Sequence, residues 1–247
     1  MRKSTAIVAL AYCCVLWFSP AAPAATITWG APIGITGDSD VSTAGTTINA
    51  VNLGTSGFAD TTTVNTITFN GASPSGGTLV SGDFSFASFV GNGRFSTTSA
   101  PYANLASEYQ DLLRSGLETG SGSYTLTMSS LTAGSNYQFQ FWCDNSTTNS
   151  GQITATAGNA VTLSSNPSGI SGGLGQFAIG TFTADSSSEM IIFASSDQYA
   201  YLNGAQLSLL SPVVPEPGAT ALFGLALAGV CALSRRRDHV GHMHDID

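Results

Sequence analysis

From residue 25 to residue 212 no apolar pattern persists for long, because Gly, Ser, Thr and Asn cut the chain into short runs of β-branched and aromatic residues. Runs of this length suit pleated strands, whereas a helix of ordinary length needs ten or more residues at a 3.6-residue period. The pattern therefore predicts an all-β domain of many strands joined by frequent turns. Its clearest member is Tyr137-Gln138-Phe139-Gln140-Phe141-Trp142, where Tyr137, Phe139 and Phe141 face one way and Gln138, Gln140 and Trp142 the other. Further strands are expected over 122–129, 151–157, 160–164, 176–183, 189–195 and 201–210. The stretches Thr47 to Leu53 and Thr63 to Phe69 repeat one pattern, with Asn49, Val51, Leu53 and Asn65, Ile67, Phe69 each on one face, and are expected as neighbours in one sheet. Only residues 103–114, with Leu105, Tyr109, Leu112 and Leu113 near helical spacing, predict a short helix.

The two ends differ in kind. Arg2 and Lys3 precede an apolar stretch from Ala6 to Phe18, then Ser19-Pro20 and the small-residue site Ala22-Pro23-Ala24. This is the pattern of a secretory signal peptide over residues 1–24, with cleavage before Ala25. The alternative, an uncleaved anchor, asks a span of a run shorter than the ~20 residues it needs. Near the other end, Pro215-Glu216-Pro217 leads into an uncharged run from Gly218 to Ser234, and Arg235, Arg236 and Arg237 follow directly. At a rise of ~1.5 Å per residue that run reaches about 26 Å, a short but adequate transmembrane helix. The three arginines would keep their side in the cytoplasm, which puts everything before Pro215 outside the inner membrane. Residues 238–247 form a polar tail whose His239, His242 and His244 have metal-ligand character, but no core to fix their geometry.

Pro-Glu-Pro, an apolar helix rich in Ala, Gly and Leu, and a terminal arginine cluster together resemble the PEP-CTERM sorting signal of Gram-negative bacteria. The resemblance spans residues 213–237 and implies a membrane enzyme, an exosortase, as partner. Pro215, Glu216 and Pro217 would be the recognised motif, and Arg235, Arg236 and Arg237 the stop signal. The protein would be held transiently in the inner membrane and then pass to the envelope, the cell surface or the extracellular matrix.

Removing the ends leaves an ectodomain, residues 25–212, long enough for one domain with a real core. It holds two basic residues, Arg94 and Arg114, against eleven acidic ones, a net charge of −9. A surface of that sign repels nucleic acid and anionic lipid. The ectodomain has no histidine, no lysine and one cysteine, Cys143. An internal disulfide is excluded, as are Ser-His-Asp, Cys-His and Schiff-base mechanisms. The stretch Gly169-Ile170-Ser171-Gly172-Gly173 fits G-x-S-x-G, but in a glycine-rich loop with no following helix the match carries no catalytic meaning.

Four candidate sites remain. Trp142, beside Gln138 and Gln140, has the chemistry to stack on a sugar ring while Asp144 and Asn145 hydrogen-bond its hydroxyls; the competing reading is that another element covers the indole as core. Tyr199 and Tyr201, near Asp197 and Gln198, offer a second rim of that kind. Asp38 and Asp40 set two carboxylates in a turn, the start of a calcium shell that backbone carbonyls and a distant acid would have to complete. Glu108, Asp111, Glu118 and Glu189 are the acids that invite a glycosidase or polysaccharide lyase hypothesis; a solvated helix face, with Asp111 close to Arg114, is the better account of Glu108 and Asp111.

The turn Leu131-Thr132-Ala133-Gly134 before Tyr137 to Trp142, the strand Gly175-Gln176-Phe177-Ala178-Ile179, and Leu202-Asn203-Gly204-Ala205-Gln206-Leu207 resemble galactose-binding-like jelly rolls. The resemblance implies a jelly-roll-like antiparallel β-sandwich. The sequence thus points to an exported, non-enzymatic structural or adhesive protein that contacts exopolysaccharide or cell-surface glycan, with a carboxylate-based glycosidase or lyase as the alternative.

Overall fold

A computed structural model describes residues 25–211, apart from 75, 96, 119, 196 and 198. In chain order the first strands are β1 (Thr28–Trp29), β2 (Ile33–Gly34), β3 (Thr46–Leu53), β4 (Thr62–Val64), β5 (Ile67–Ala72), β6 (Thr78–Ser81), β7 (Phe84–Ala87) and β8 (Gly91–Arg94). Helix α1 (Ser107–Leu113) follows, then β9 (Ser115–Glu118), β10 (Ser123–Met128), β11 (Asn136–Cys143), β12 (Gln152–Ala157) and β13 (Asn159–Ser164). The last four are β14 (Gln176–Thr183), β15 (Glu189–Ser195), β16 (Tyr201–Leu202) and β17 (Gly204–Ser211).

Two sheets carry the fold. One runs β1-β14-β11-β17-β3-β5-β4, with β2 also on β14; the other runs β13-β12-β15-β10-β7-β6. The sheets are mostly antiparallel; β3 pairs with β5 in parallel, Val51 lying opposite Asn70. A small third sheet, β16-β9-β8, is paired to neither, and its Leu117 and Leu202 pack into the main apolar cluster. The alternation along β11 decides how the sheets meet. Tyr137, Phe139 and Phe141 join Phe84 and Phe86 of β7, Leu126 of β10 and Phe193 of β15 in one buried apolar cluster. Edge-on ring contacts bridge the sheets there: Phe84 to Phe139 at 6.1 Å and Phe141 to Phe193 at 5.2 Å between centroids. The molecule is an all-β sandwich built mostly of antiparallel strands, as its sequence pattern predicts.

The outer face of the first sheet is also covered. Ile35, Val41, Tyr102, Leu105, Tyr109, Leu112 and Leu113 pack over Phe69, Trp142 and Phe177 as a second buried cluster. The predicted helix is present but broken: a 3-10 turn at Tyr102–Asn104 precedes α1, whose buried residues are Tyr109, Leu112 and Leu113.

Three local expectations change. Residues 63–69 are not one strand, because Asn65 and Thr66 take positive φ (46° and 71°) and turn the chain from β4 into β5. Two positive φ values in succession make the hairpin turn that follows strand twist, and the Asn65 amide, donating to the Val41 carbonyl at 2.7 Å, holds it. Residues 201–210 divide at Asn203 into β16 and β17. Strands β6 to β8 were not expected, their runs being only four residues each.

Residues 1–24 and 212–247 lie outside the described residues, and with them the signal peptide, the Pro215-Glu216-Pro217 motif, the apolar run, Arg235 to Arg237 and the histidine tail. Among the described residues no helix is long and apolar enough to cross a membrane.

Candidate functional site

The face carrying Gln138, Gln140 and Trp142 points away from the main core, as the alternation predicts, but it does not meet solvent. Trp142 is fully buried. Its ring meets Phe69 edge-on at 5.5 Å and lies tilted against Phe177 at 6.5 Å. The indole N–H donates to the Tyr109 hydroxyl at 3.0 Å, and that hydroxyl donates onward to the Asp40 carboxylate at 3.3 Å. Gln140 is equally enclosed: its amide donates to the Asp40 carbonyl at 2.6 Å and its oxygen accepts the Ser42 amide at 2.9 Å. Gln138, farther along the strand, is half-buried. The aromatic surface expected to stack on sugar is thus an inner layer. The physical reason is the apolar stripe of α1, which needs a partner, and the sheet face around Trp142 supplies it.

Asp144 and Asn145 are also interior. One Asp144 carboxylate oxygen accepts the Gly175 amide at 2.6 Å, while the other has no hydrogen-bond partner among the described residues. Burial pushes the Asp144 carboxyl well above the usual carboxylate range, against the opposing pull of the Gly175 and Ser146 amides. Around it, Asn203 works as a clamp. Its side-chain amide donates to the carbonyls of Leu113 (2.7 Å), Ser115 (2.9 Å) and Asp144 (3.3 Å), and its oxygen accepts the Asp144 amide at 2.6 Å. This tie between α1, β9 and β11 explains the break at Asn203. Asn145 reaches the Tyr199 carbonyl at 3.3 Å and accepts the Thr147 hydroxyl at 2.7 Å, so it shapes a loop.

The sign of the Asp144 shift makes stability depend on pH. Above pH ~4 an unfolded Asp is ionised while the folded one keeps its proton, so the native state binds more protons and stability falls as pH rises toward the folded pKa. The expected slope approaches ~1.4 kcal/mol per pH unit for one full proton. Urea midpoints of the wild type should fall as the pH rises above the ordinary carboxylate range, and Asp144→Asn should flatten that fall; equal slopes in the two proteins would contradict the assignment.

Asp40 is spent on its own loop. Its oxygens accept the Thr36 amide (2.6 Å), the Thr36 hydroxyl (2.7 Å) and the Gly37 amide (3.0 Å), besides Tyr109. The Asp40 carboxylate thus braces the segment that covers Trp142, a structural use of one of the two acids expected to begin a calcium shell; Asp38 lies in the same 3-10 turn. Among the described residues no group of three or more His, Cys, Asp or Glu is placed to hold a metal. The remaining acids are dispersed over the fold. Glu108 is solvated beside Ser107 at 3.0 Å, Asp111 pairs with Arg114 at 3.1 Å, and Glu189 is buried against the Ala25 amide.

Tyr199 and Glu118 are brought together where the sequence does not foretell it. With Val90, Gly120, Ser121, Gly122 and Asp197 they line a depression of about 630 Å³ beside the small sheet. Its floor is pinned. Asp197 accepts the Tyr199 amide at 2.8 Å and the Gln152 amide at 3.1 Å, and the Tyr199 carbonyl accepts from Asn145 and from Ser165 at 3.1 Å. Gly151 is required here, because a Cβ on it would lie 2.2 Å from the Asp197 carboxylate and 2.5 Å from the Ala200 amide. Tyr201 is half-buried, its ring 5.0 Å from that of Phe95 and packed over Gly93, so it supports the neighbouring strand. Burial and the Glu118 charge both raise its hydroxyl pKa. Val90, 72% exposed, supplies an apolar edge to the depression. Gln198 lies outside the described residues.

Comparison with known families assigns the other end of the chain. The family model of the PEP-CTERM protein-sorting motif matches residues 213–237. No curated protein matches the chain. The protein therefore carries a C-terminal sorting signal, which marks it as exported and processed at the membrane.

Proposed function

We propose that this protein is a non-enzymatic structural module of the cell envelope or extracellular matrix, handed over by an exosortase-type enzyme and able to contact polysaccharide through the Tyr199 depression. The observation that carries the reading is the joining of a sorting motif at 213–237 to a β-sandwich. The domain limits, signal peptide 1–24 and ectodomain 25–212, belong to this reading. So does a galactose-binding-like arrangement of the sandwich, which its two packed sheets support.

The depression favours binding over bond cleavage. A glycosidase places two carboxyl groups across the scissile bond. Glu118 has Asp197 as its acidic companion there, and Asp197 already accepts two backbone amides. A tyrosine beside carboxylates on a pinned floor suits a sugar ring and its hydroxyls. The ectodomain's net charge of −9 argues for a neutral glycan rather than one rich in uronic acid. In a pull-down on insoluble neutral and acidic polysaccharides, the purified protein should be retained by a neutral one, and Tyr199→Ala should weaken retention roughly tenfold, in keeping with the ~1–2 kcal/mol of one ring contact. Retention unchanged in Tyr199→Ala would move the contact elsewhere, and no retention on any glycan would leave a purely structural role.

A further inference from the structure

Glu189 opens β15 with only 2% of its surface exposed. One of its carboxylate oxygens accepts the backbone amide of Ala25 at 2.8 Å; the other is buried and has no hydrogen-bond partner among the described residues. A buried carboxylate that meets only backbone amides, those of Met190 and Ala25, and leaves one oxygen unsatisfied is an unstable arrangement, since burial without full pairing costs free energy. Burial, with the Asp185 charge as a lesser cause, raises the Glu189 pKa.

The position of its partner resolves the deficit. Ala25 is the residue that follows Ala22-Pro23-Ala24, the small-residue site at the end of the predicted signal peptide. Hydrolysis of the Ala24–Ala25 amide by a signal peptidase adds one water across the bond, leaving a carboxylate on Ala24 and an amine on Ala25 that is protonated at neutral pH. The nitrogen that now offers Glu189 one N–H would then offer three, together with a full positive charge. We infer that Ala24–Ala25 is the processing site and that the new α-ammonium of Ala25 forms a buried ion pair with Glu189, so that removal of the leader completes the fold. The strand-like anchoring of the following residues holds the nitrogen in place. Ile27 donates to the Ala157 carbonyl at 3.0 Å, Ile27 itself is fully buried, and β1 pairs with β14 directly afterwards. Ala25 is itself 9% exposed and part of the main apolar cluster.

The composition gives a clean readout. Residues 25–247 contain no lysine, so the α-amine of Ala25 becomes the single primary amine of the processed polypeptide. The full chain is exported in a Gram-negative host with its own leader, and the processed protein is collected and labelled with an amine-specific acylating reagent at pH 7. Mass analysis should find Ala25 as the first residue. Labelling of the folded wild type should be at least about tenfold slower than in Glu189→Gln, the factor for each unit by which an ion pair raises an amine pKa. A first residue other than Ala25, or equal labelling of wild type and a folded Glu189→Gln, would overturn the proposal.

Should Glu189→Gln fail to fold, a second variant decides. A protein processed to carry Gly-Ser before Ala25 retains Glu189 but moves the ammonium away. It should label at the rate of urea-unfolded protein and melt below the wild type. An unchanged melting temperature would overturn the ion pair as surely as equal labelling would.

Discussion

Trp142→Ala will destabilise the ectodomain by about 3–5 kcal/mol, the range for emptying a fully buried large aromatic site. The indole fills the space between Phe69, Phe177 and Tyr109, and its N–H is one end of the relay through Tyr109 to Asp40. Removing it leaves a cavity at the junction of the first sheet with its covering layer, and the loop braced by Asp40 loses the ring beneath it. For a domain of this size the loss corresponds to a fall of roughly 6–20 °C in melting temperature. A shift of the urea midpoint with little change in the slope m would place the effect on the native state. The contrary outcome would be a stability change within ~0.5 kcal/mol, the usual size for an exposed position, and it would return Trp142 to the surface. The same variant should leave glycan retention per folded molecule unchanged, because the Tyr199 depression is lined by other residues.

Trp142 also shows how far the sequence could be read. The alternation along 137–142 assigns each side chain to its correct face, and β14 and β15 run over the very residues their patterns indicate. What periodicity within one strand does not hold is whether the second face is solvated. The elements that cover Trp142, the 35–42 segment and α1, come from elsewhere in the chain, and their contacts are long-range. A signal was nonetheless present: Tyr109, Leu112 and Leu113 form an apolar stripe on a helix that had to bury it against something.

The polar interior was less legible. Asp144 reads in sequence as a loop acid beside an aromatic strand, because burial of a carboxyl depends on Gly175 and Asn203, which are distant in the chain. The division at Asn203 follows from its four hydrogen bonds, which no propensity encodes. The Asn65-Thr66 turn was hidden by a β-branched residue at a positive φ, where Thr is rarely found. The depression at Tyr199 joins β9 to the 195–200 connection, so its residues are neighbours in space only. The sorting signal was legible because it depends on local order alone: a short motif, an apolar run and a cluster of charge.

Sorting is where the largest effect is expected, since loss of a recognised motif is close to all-or-none. Pro215, Glu216 and Pro217 precede the apolar run directly, and Arg235 to Arg237 follow it, an order expected to keep its far end in the cytoplasm. If the motif is recognised and the chain is cut beside it, the ectodomain leaves the inner membrane without the arginines. If it is not, the uncharged run remains as an anchor, and the ectodomain stays tethered to the inner membrane. The most direct measurement is the C-terminal mass and cell fraction of the protein in a Gram-negative host that supplies an exosortase, with Pro215, Glu216 and Pro217 replaced by alanine in a parallel strain. The wild type should appear in the outer envelope or the medium ending near Pro217, while the variant keeps Arg235 to Arg237 and sediments with the inner membrane. An alanine variant released and shortened like the wild type, or a wild type found outside with its arginines intact, would contradict the account.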